Sequence, residues 1–294
     1  MKCSPLAAKQ ITDLSPYIVP LSGRLSVLIL PRRLVDSSRA VLAEIGRARK
    51  QSFSEKGAGG NGALDLDSFD EIYNQMCVIE RTCDGSYEII GGYRFYLQTE
   101  HDLQSLDMDR LFDCSSFYKN SGNMPALELG RSFIVPRAQK QADVFSALFS
   151  GLGLILNLYS QAQWFFGKIT FYPDNQHNGA VLQFLRKFHG DVHQEIHPRS
   201  ELSLQESLDF SSLSYYQALR KVRSWMPEIL RIYLRFTEPK YALVSPPAAN
   251  EAFGDGIFEA AFRIFIPAIG DVWQKKFLQP TEKYTGQAEY FFKG

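Results

Sequence analysis

Between Ala126 and Tyr159 the chain passes directly from strand to helix, a junction that calls for a sheet carrying helices on its faces. The run Ala126 to Val135 has strand character and stops at Pro136. A helical pattern starts near Arg137, where Phe145, Leu148, Phe149, Leu152, Leu156 and Tyr159 recur at helical spacing. The order repeats downstream: Phe165 to Tyr172 reads as a strand ended by Pro173, Asp174 and Asn175, and Gly179 to His189 as the next helix. Upstream, Ala40, Val41, Ile45 and Ala48 mark a helix from Ser37 to Ala48. Two strand-like runs, Gln75 to Arg81 and Tyr87 to Leu97, flank an Asp84-Gly85 turn and should pair as a hairpin. A last strand is expected from Ile257 to Ile266.

Residues 190–240 are mainly helical in pattern, with Tyr215, Leu219, Val222, Met226, Ile229, Leu230 and Tyr233 on one side. The succession predicts an α/β fold: a mixed, largely antiparallel sheet flanked by helices, with a helical insertion over 190–240 before the last strand. In a chain of 294 residues this implies an N-terminal arm over 1–21 and one body over 22–294 that includes the insertion. The four glycines of Gly57 to Gly62 make a loop behind the first helix.

Charge narrows the partners. The 32 basic and 32 acidic residues cancel, so no overall field draws the chain to nucleic acid or to an anionic membrane, and no nucleic-acid partner is expected. Cys3, Cys77, Cys83 and Cys114 lack the close spacing of zinc or redox sites, and no secretory signal precedes them. The apolar window Val144 to Tyr159 is shorter than the roughly 20 residues a spanning helix needs. Reduced thiols in the cytoplasm are expected, with peripheral contact at the inner membrane surface compatible with such a chain.

Charged residues inside apolar strands mark the candidate chemistry. Arg94 lies within Gly91-Gly92-Tyr93-Arg94-Phe95-Tyr96, and Glu128 and Arg131 within Glu128-Leu129-Gly130-Arg131. Each needs a partner or a function there. Arg49 with Phe53 closes the first helix, and the acidic string Asp65 to Glu71, with Asp67 and Asp70, precedes the hairpin. A structural network of ion pairs accounts for any one of these residues. Strict alternation puts Glu128 and Arg131 on opposite faces, but a bulge at Gly130 would bring them together and release backbone N–H groups to hold a carbonyl that gains charge.

His189, His193 and His197 recur every four residues, yet Gly190 and Pro198 interrupt a regular helix and the zincin pattern is absent, so no metal is expected. The basic stretch Arg220 to Arg235 reads either as a solvated helix face or as a docking surface for an acidic protein or anionic lipid heads.

The segments Arg49-Lys50-Gln51-Ser52-Phe53, Asp67-Ser68-Phe69-Asp70, Ile90-Gly91-Gly92-Tyr93-Arg94 and Glu128-Leu129-Gly130-Arg131-Ser132 resemble GNAT-superfamily acyltransferases that use acyl carrier protein to N-acylate amino acids. These are the lyso-ornithine and glycine lipid synthases, often loosely labelled hemolysins. Leu230 to Arg235 and Pro247 to Phe253 are similar to the C-terminal segments of that family, and acyl-homoserine lactone synthases share the N-terminal motifs.

The resemblance implies transfer of a long, 3-hydroxylated fatty acyl group from acyl carrier protein to an amino acid such as glycine or ornithine, without a bound cofactor. The co-substrate would be acyl-phosphopantetheine on the carrier, or acyl-coenzyme A. Glu128 and Arg131 would be catalytic, with Glu128 as base or water-positioning group. Arg49, Asp67, Asp70 and Arg94 would shape the acceptor pocket, and Phe133, Ile134, Val135, Arg137 and Lys140 would bind the thioester and its pantetheine arm. Lys140 stands where many GNAT enzymes have glycine. A coenzyme-A-dependent N-acetyltransferase, an enzyme like the lactone synthases, and a catalytically silent binding protein remain alternatives.

Overall fold

The computed structural model describes residues 3–21, 23–59, 62–99, 105–120, 124–200, 202 and 208–287. In chain order it begins with α1 (Pro5–Asp13), β1 (Ile18–Pro20), β2 (Leu25–Leu30), α2 (Arg39–Ser54), β3 (Asn74–Arg81) and β4 (Tyr87–Gln98). Then follow β5 (Phe112–Asp113), α3 (Ser115–Asn120), β6 (Ala126–Ile134), α4 (Ala142–Leu158), β7 (Trp164–Phe171) and α5 (Asn178–His189). The last elements used below are β8 (His197–Pro198), α6 (Tyr215–Val222), α7 (Glu228–Tyr233), β9 (Ala242–Ala249) and β10 (Phe258–Phe265). Contacts divide the chain into two compact units, one of residues 1–96, 129–160 and 271–294, the other of 97–128 and 161–270.

In the first unit β1, β2, β3 and β4 form an antiparallel series, with Leu28 opposite Cys77 and Cys77 opposite Gly92. Val27 to Leu30 and Met76 to Ile79 are all buried, so both faces of β2 and β3 are covered and the alternation of a half-exposed strand disappears. Helix α4 packs on these strands, and its glycines explain how closely: a Cβ at Gly151 would lie 2.7 Å from the Met76 side chain, and one at Gly153 would lie 2.1 Å from the Phe277 carbonyl oxygen. The expected hairpin is present, with Gly85 in the left-handed region at φ +83° and Thr82 accepting the Gly85 N–H.

The second unit holds β7, β10 and β9 in that order, all antiparallel. Aromatic side chains fill it: Phe171 stacks on Phe258, and Phe165 packs against Tyr233, Phe236 and Phe262. Helix α5 lies on β9, and β5 pairs with β8. The α/β expectation with a largely antiparallel sheet and flanking helices is met.

Three local differences have physical causes. Helix α4 begins at Ala142 rather than near Arg137, because Pro136–Ala138 form a separate tight turn in which Ala138 N–H donates to Val135 O. Within 190–240 the helix is limited to α6 and α7, and residues 201 and 203–207 of that stretch lie outside the described residues. Strand β9 was not anticipated, since Pro246 and Pro247 interrupt its pattern; it lies outside β10 at a sheet edge, where a missing N–H is tolerated. Gly60 and Asn61 of the glycine loop lie outside the described residues. Among the described residues no helix is long and apolar enough to cross a membrane.

Candidate active site

Asp67 and Asp70 owe their spacing to a tight helical turn over Ser68–Glu71. The Asp67 carboxylate accepts the Phe69 N–H at 3.0 Å, and the Asp70 carboxylate accepts the Asp67 N–H at 3.0 Å, a reciprocal cap that fixes both side chains. Fixed in this way, they face three arginines from three other elements. Arg49, near the end of α2, donates to Asp70 Oδ1 at 2.7 Å and to Gln75 Oε1 at 2.6 Å. Arg94, on β4, grips both oxygens of Asp67 at 2.5 and 3.1 Å and lies over the ring of Tyr73. Arg131, on β6, reaches Asp65 and Asp67, each at 3.3 Å.

The cluster therefore contains three guanidinium groups and three carboxylates, with formal charge cancelling inside it. Its members are not equivalent. Arg49 and Arg94 are fully buried, whereas the Arg131 side chain is 17% exposed and lies 3.3 Å from two different carboxylates.

Backbone geometry delivers Arg131 to this place. Arg131 has φ +53°, in the left-handed region that non-glycine residues seldom occupy. The irregularity in β6 thus falls one residue beyond Gly130, where it was expected. Gly130 itself packs over Arg94, so that a Cβ there would lie 3.5 Å from Arg94 Nε.

Burial and charge set the carboxylates apart. Burial works against the charge of Asp70, but Arg49 and Arg94 outweigh it and hold the carboxyl down to about 2. Asp67 is likewise lowered, burial being overcome by its bonds to Arg94. Asp65 goes the other way: burial raises it despite Arg131. Asp65 is 6% exposed, and its Oδ2 has no hydrogen-bond partner among the described residues. Asp65 joins the cluster although the sequence reading named only Asp67 and Asp70 as pocket residues. The signal was present, as a second acidic residue two positions before the cap.

The remaining expected residues are placed differently. Glu128 is fully buried and is counted with the second unit, where its charge acts on Lys168, Cys114 and Tyr118. Phe133, Ile134 and Val135 run along β6 and past its end, but the Val135 N–H donates to Ile90 O at 2.9 Å and is committed to the sheet. Arg137 is held between Glu80 at 2.9 Å and Glu88 at 2.6 Å, while Lys140 is exposed.

The three histidines do not stack. His189 ends α5, where burial pushes it down to about 4, His193 lies in a turn, and His197 lies on β8. Burial raises the thiols of Cys77 and Cys114, which makes them poor nucleophiles. The second unit also has a cleft of about 490 Å³, lined by Leu182, Arg186, Val192, His197, Val244 and Pro246 among others; none of the expected site residues lines it.

The acetyltransferase (GNAT) domain family matches residues 48–148, a span that contains every member of the cluster. The chain is 27% identical over 280 residues to glycine N(alpha)-acyltransferase of Phocaeicola vulgatus, covering 86% of this chain and 83% of that one. It is 31% identical over 183 residues to glycine N(alpha)-acyltransferase of Bacteroides thetaiotaomicron, covering 57% of this chain and 53% of that one. Among solved structures, the coenzyme-A-dependent acyl-homoserine lactone synthase BjaI is similar with a TM-score of 0.42 at 12% identity, covering 91% of this chain and 100% of that one.

Proposed function

We propose, from the premise that this chain is an acyltransferase with a GNAT domain, that it transfers a long 3-hydroxylated fatty acyl group from acyl carrier protein to the amine of glycine. The observation that carries the acceptor is Arg131, the cluster arginine whose side chain keeps exposed surface, at 17%, beside Asp65 and Asp67 and three residues along β6 from Glu128. The similarity to two glycine N(alpha)-acyltransferases supports glycine over ornithine.

In this reading the acceptor carboxylate binds Arg131, exchanging with one of the 3.3 Å contacts. The neutral amine nitrogen attacks the thioester carbonyl carbon. As the C–N bond forms, the carbonyl oxygen gains charge and takes an N–H from Phe133 or Ile134. The C–S bond then breaks, and the nitrogen's proton passes to Glu128 and on to the departing thiolate, leaving an amide and free carrier thiol. In the same reading Arg49, Asp70 and Arg94 hold the pocket's shape and the exposed Lys140 meets the phosphate of the pantetheine arm, while Arg137 is tied to Glu80 and Glu88. The exposed basic residues Arg220 and Arg223 are the proposed docking surface for the acidic carrier.

The test is intact-mass detection of deacylation of 3-hydroxyacyl carrier protein by purified enzyme with a panel of amino acids. Amide formation with glycine, abolished in Glu128→Gln, is the expected result. Consumption of acetyl-coenzyme A with no turnover of any acyl carrier would replace this reading with an N-acetyltransferase.

A further inference from the structure

Asp65 lies on a segment that the first unit pins to α2. Its N–H donates to the Gly46 carbonyl oxygen at 3.1 Å, and Leu66 follows so closely against the helix that a Cβ at Gly46 would lie 2.7 Å from Leu66 Cγ. The backbone that carries the Asp65 carboxylate is therefore fixed on one side of the charge cluster.

The three carboxylates of that cluster are not equally supplied with donors. Both oxygens of Asp67 accept from Arg94. Asp70 accepts from Arg49 and, at 3.2 Å, from Gln75 Nε2 through Oδ1, and from the Asp67 N–H through Oδ2. Asp65 faces Arg131 Nη1 at 3.3 Å through Oδ1, while its Oδ2 is buried with no hydrogen-bond partner among the described residues. A buried carboxylate oxygen without a donor is costly and calls for an explanation. The charged groups around Asp65 are Arg131, Arg49 and Arg94, which favour its ionised form, and Asp70, which opposes it; burial outweighs the arginines and raises the carboxyl. Arg131 and Asp67 keep 17% and 21% of their side-chain surface exposed, so solvent reaches the cluster beside Asp65.

We propose that Asp65 binds the amine of the acceptor: an N–H of the amino group donates to Oδ2 while the carboxylate of the same molecule lies on Arg131. The inference rests on the reading in which Arg131 takes that carboxylate. An α-amino acid carries its amine one carbon away from its carboxylate, and Asp65 and Arg131 present the complementary charges 3.3 Å apart. Ammonium and neutral amine both donate N–H, so the contact lasts from binding to attack. A carboxylic acid without the amine would leave Oδ2 as unsatisfied as before, which is how such a site rejects it.

The test compares glycine with acetate, which lacks the amine, and glycinamide, which lacks the carboxylate, by titration calorimetry on the full chain. The parent is expected to bind glycine about ten- to a hundredfold more tightly than acetate, the factor that one hydrogen bond to a charged group supplies. Asp65→Asn keeps the side-chain shape and the N–H bond to Gly46. It should cost glycine that same factor, should not weaken acetate, and should raise the KM for glycine but not for the acyl donor. Arg131→Gln should weaken glycine and acetate alike and spare glycinamide. A parent that binds acetate as tightly as glycine would overturn the proposal, and this comparison needs no variant to fold. Unchanged glycine affinity in Asp65→Asn would overturn it too, and equal losses for glycine and acetate would make Asp65 a support for Arg131 alone. Calorimetry requires no turnover: if another amino acid proves to be the acceptor, the glycine reading falls, and that amino acid against its deaminated analogue decides Asp65 in the same way.

Discussion

Arg94 holds Asp67 by both guanidinium arms, Nη1 to Oδ1 at 2.5 Å and Nη2 to Oδ2 at 3.1 Å, and the same Nη1 lies 3.3 Å from Asp70 Oδ1. One fully buried arginine thereby locks the two ends of the tight turn that the aspartates cap. Arg94→Ala leaves the buried Asp70 and the partly buried Asp67 short of a cation and should cost about 3 kcal/mol of stability in urea unfolding. Arg94→Lys should recover only part of this, because a point charge cannot reproduce the fork. Equal stability of the lysine variant and the parent would show that the bidentate geometry contributes nothing.

Acid should loosen the same cluster in a defined window. The folded-state value of Asp70, about 2, lies below its unfolded value, so its contribution is fully present above about pH 4 and is lost as pH falls towards 2. The contribution is roughly 2 kcal/mol. Asp70→Asn should be less stable than the parent at neutral pH, and the difference should shrink through that window. A constant difference from pH 7 to pH 2 would assign the stability to the cap and not to the charge.

Much of this fold is visible in the residues themselves. The Asp84-Gly85 hairpin and the strand before Pro136 appear as expected because local turn chemistry and hydrophobic period agree there. Strand β9 was hidden by Pro246 and Pro247, whose meaning depends on lying at an edge, a tertiary fact. In the cluster, Arg49, Asp67, Asp70, Arg94 and Arg131 are legible as charges in costly places, but their pairing is not, since the partners come from α2, β4, β6 and a loop far apart in sequence. Lys168 carries the same signal as Arg94, a charge inside an aromatic strand, and could have been singled out by the same argument.

Gly92 illustrates a constraint that sequence alone does not reveal. A Cβ there would lie 2.2 Å from the Met76 carbonyl oxygen, in the backbone of the adjacent strand, which cannot move aside without breaking the pairing. Gly92→Ala should cost about 3 kcal/mol or more and displace Arg94, two residues on. Gly85→Ala, at φ +83° with open space around it, should cost about 1 kcal/mol from backbone strain alone. Thermal unfolding of the two variants side by side measures the contrast; similar losses would mean that β3 and β4 can separate locally at Gly92.

The basic face of α6 supplies the test of carrier docking. Arg220 and Lys221 on that helix, and Arg223 at its cap, are exposed, whereas Ala218 and Val222 turn inward, so charges here can be reversed without disturbing the core. Such surface charges act mainly on encounter with a charged partner and weaken as salt rises. Arg220→Glu with Arg223→Glu should raise the KM for acyl carrier protein about tenfold at low salt, leave kcat near the parent value, and lose its effect as ionic strength increases. With acyl-coenzyme A as donor the same variant should behave like the parent. An unchanged KM for the carrier would return these residues to an ordinary solvated face and move the search for its dock to other exposed cations, Lys140 first.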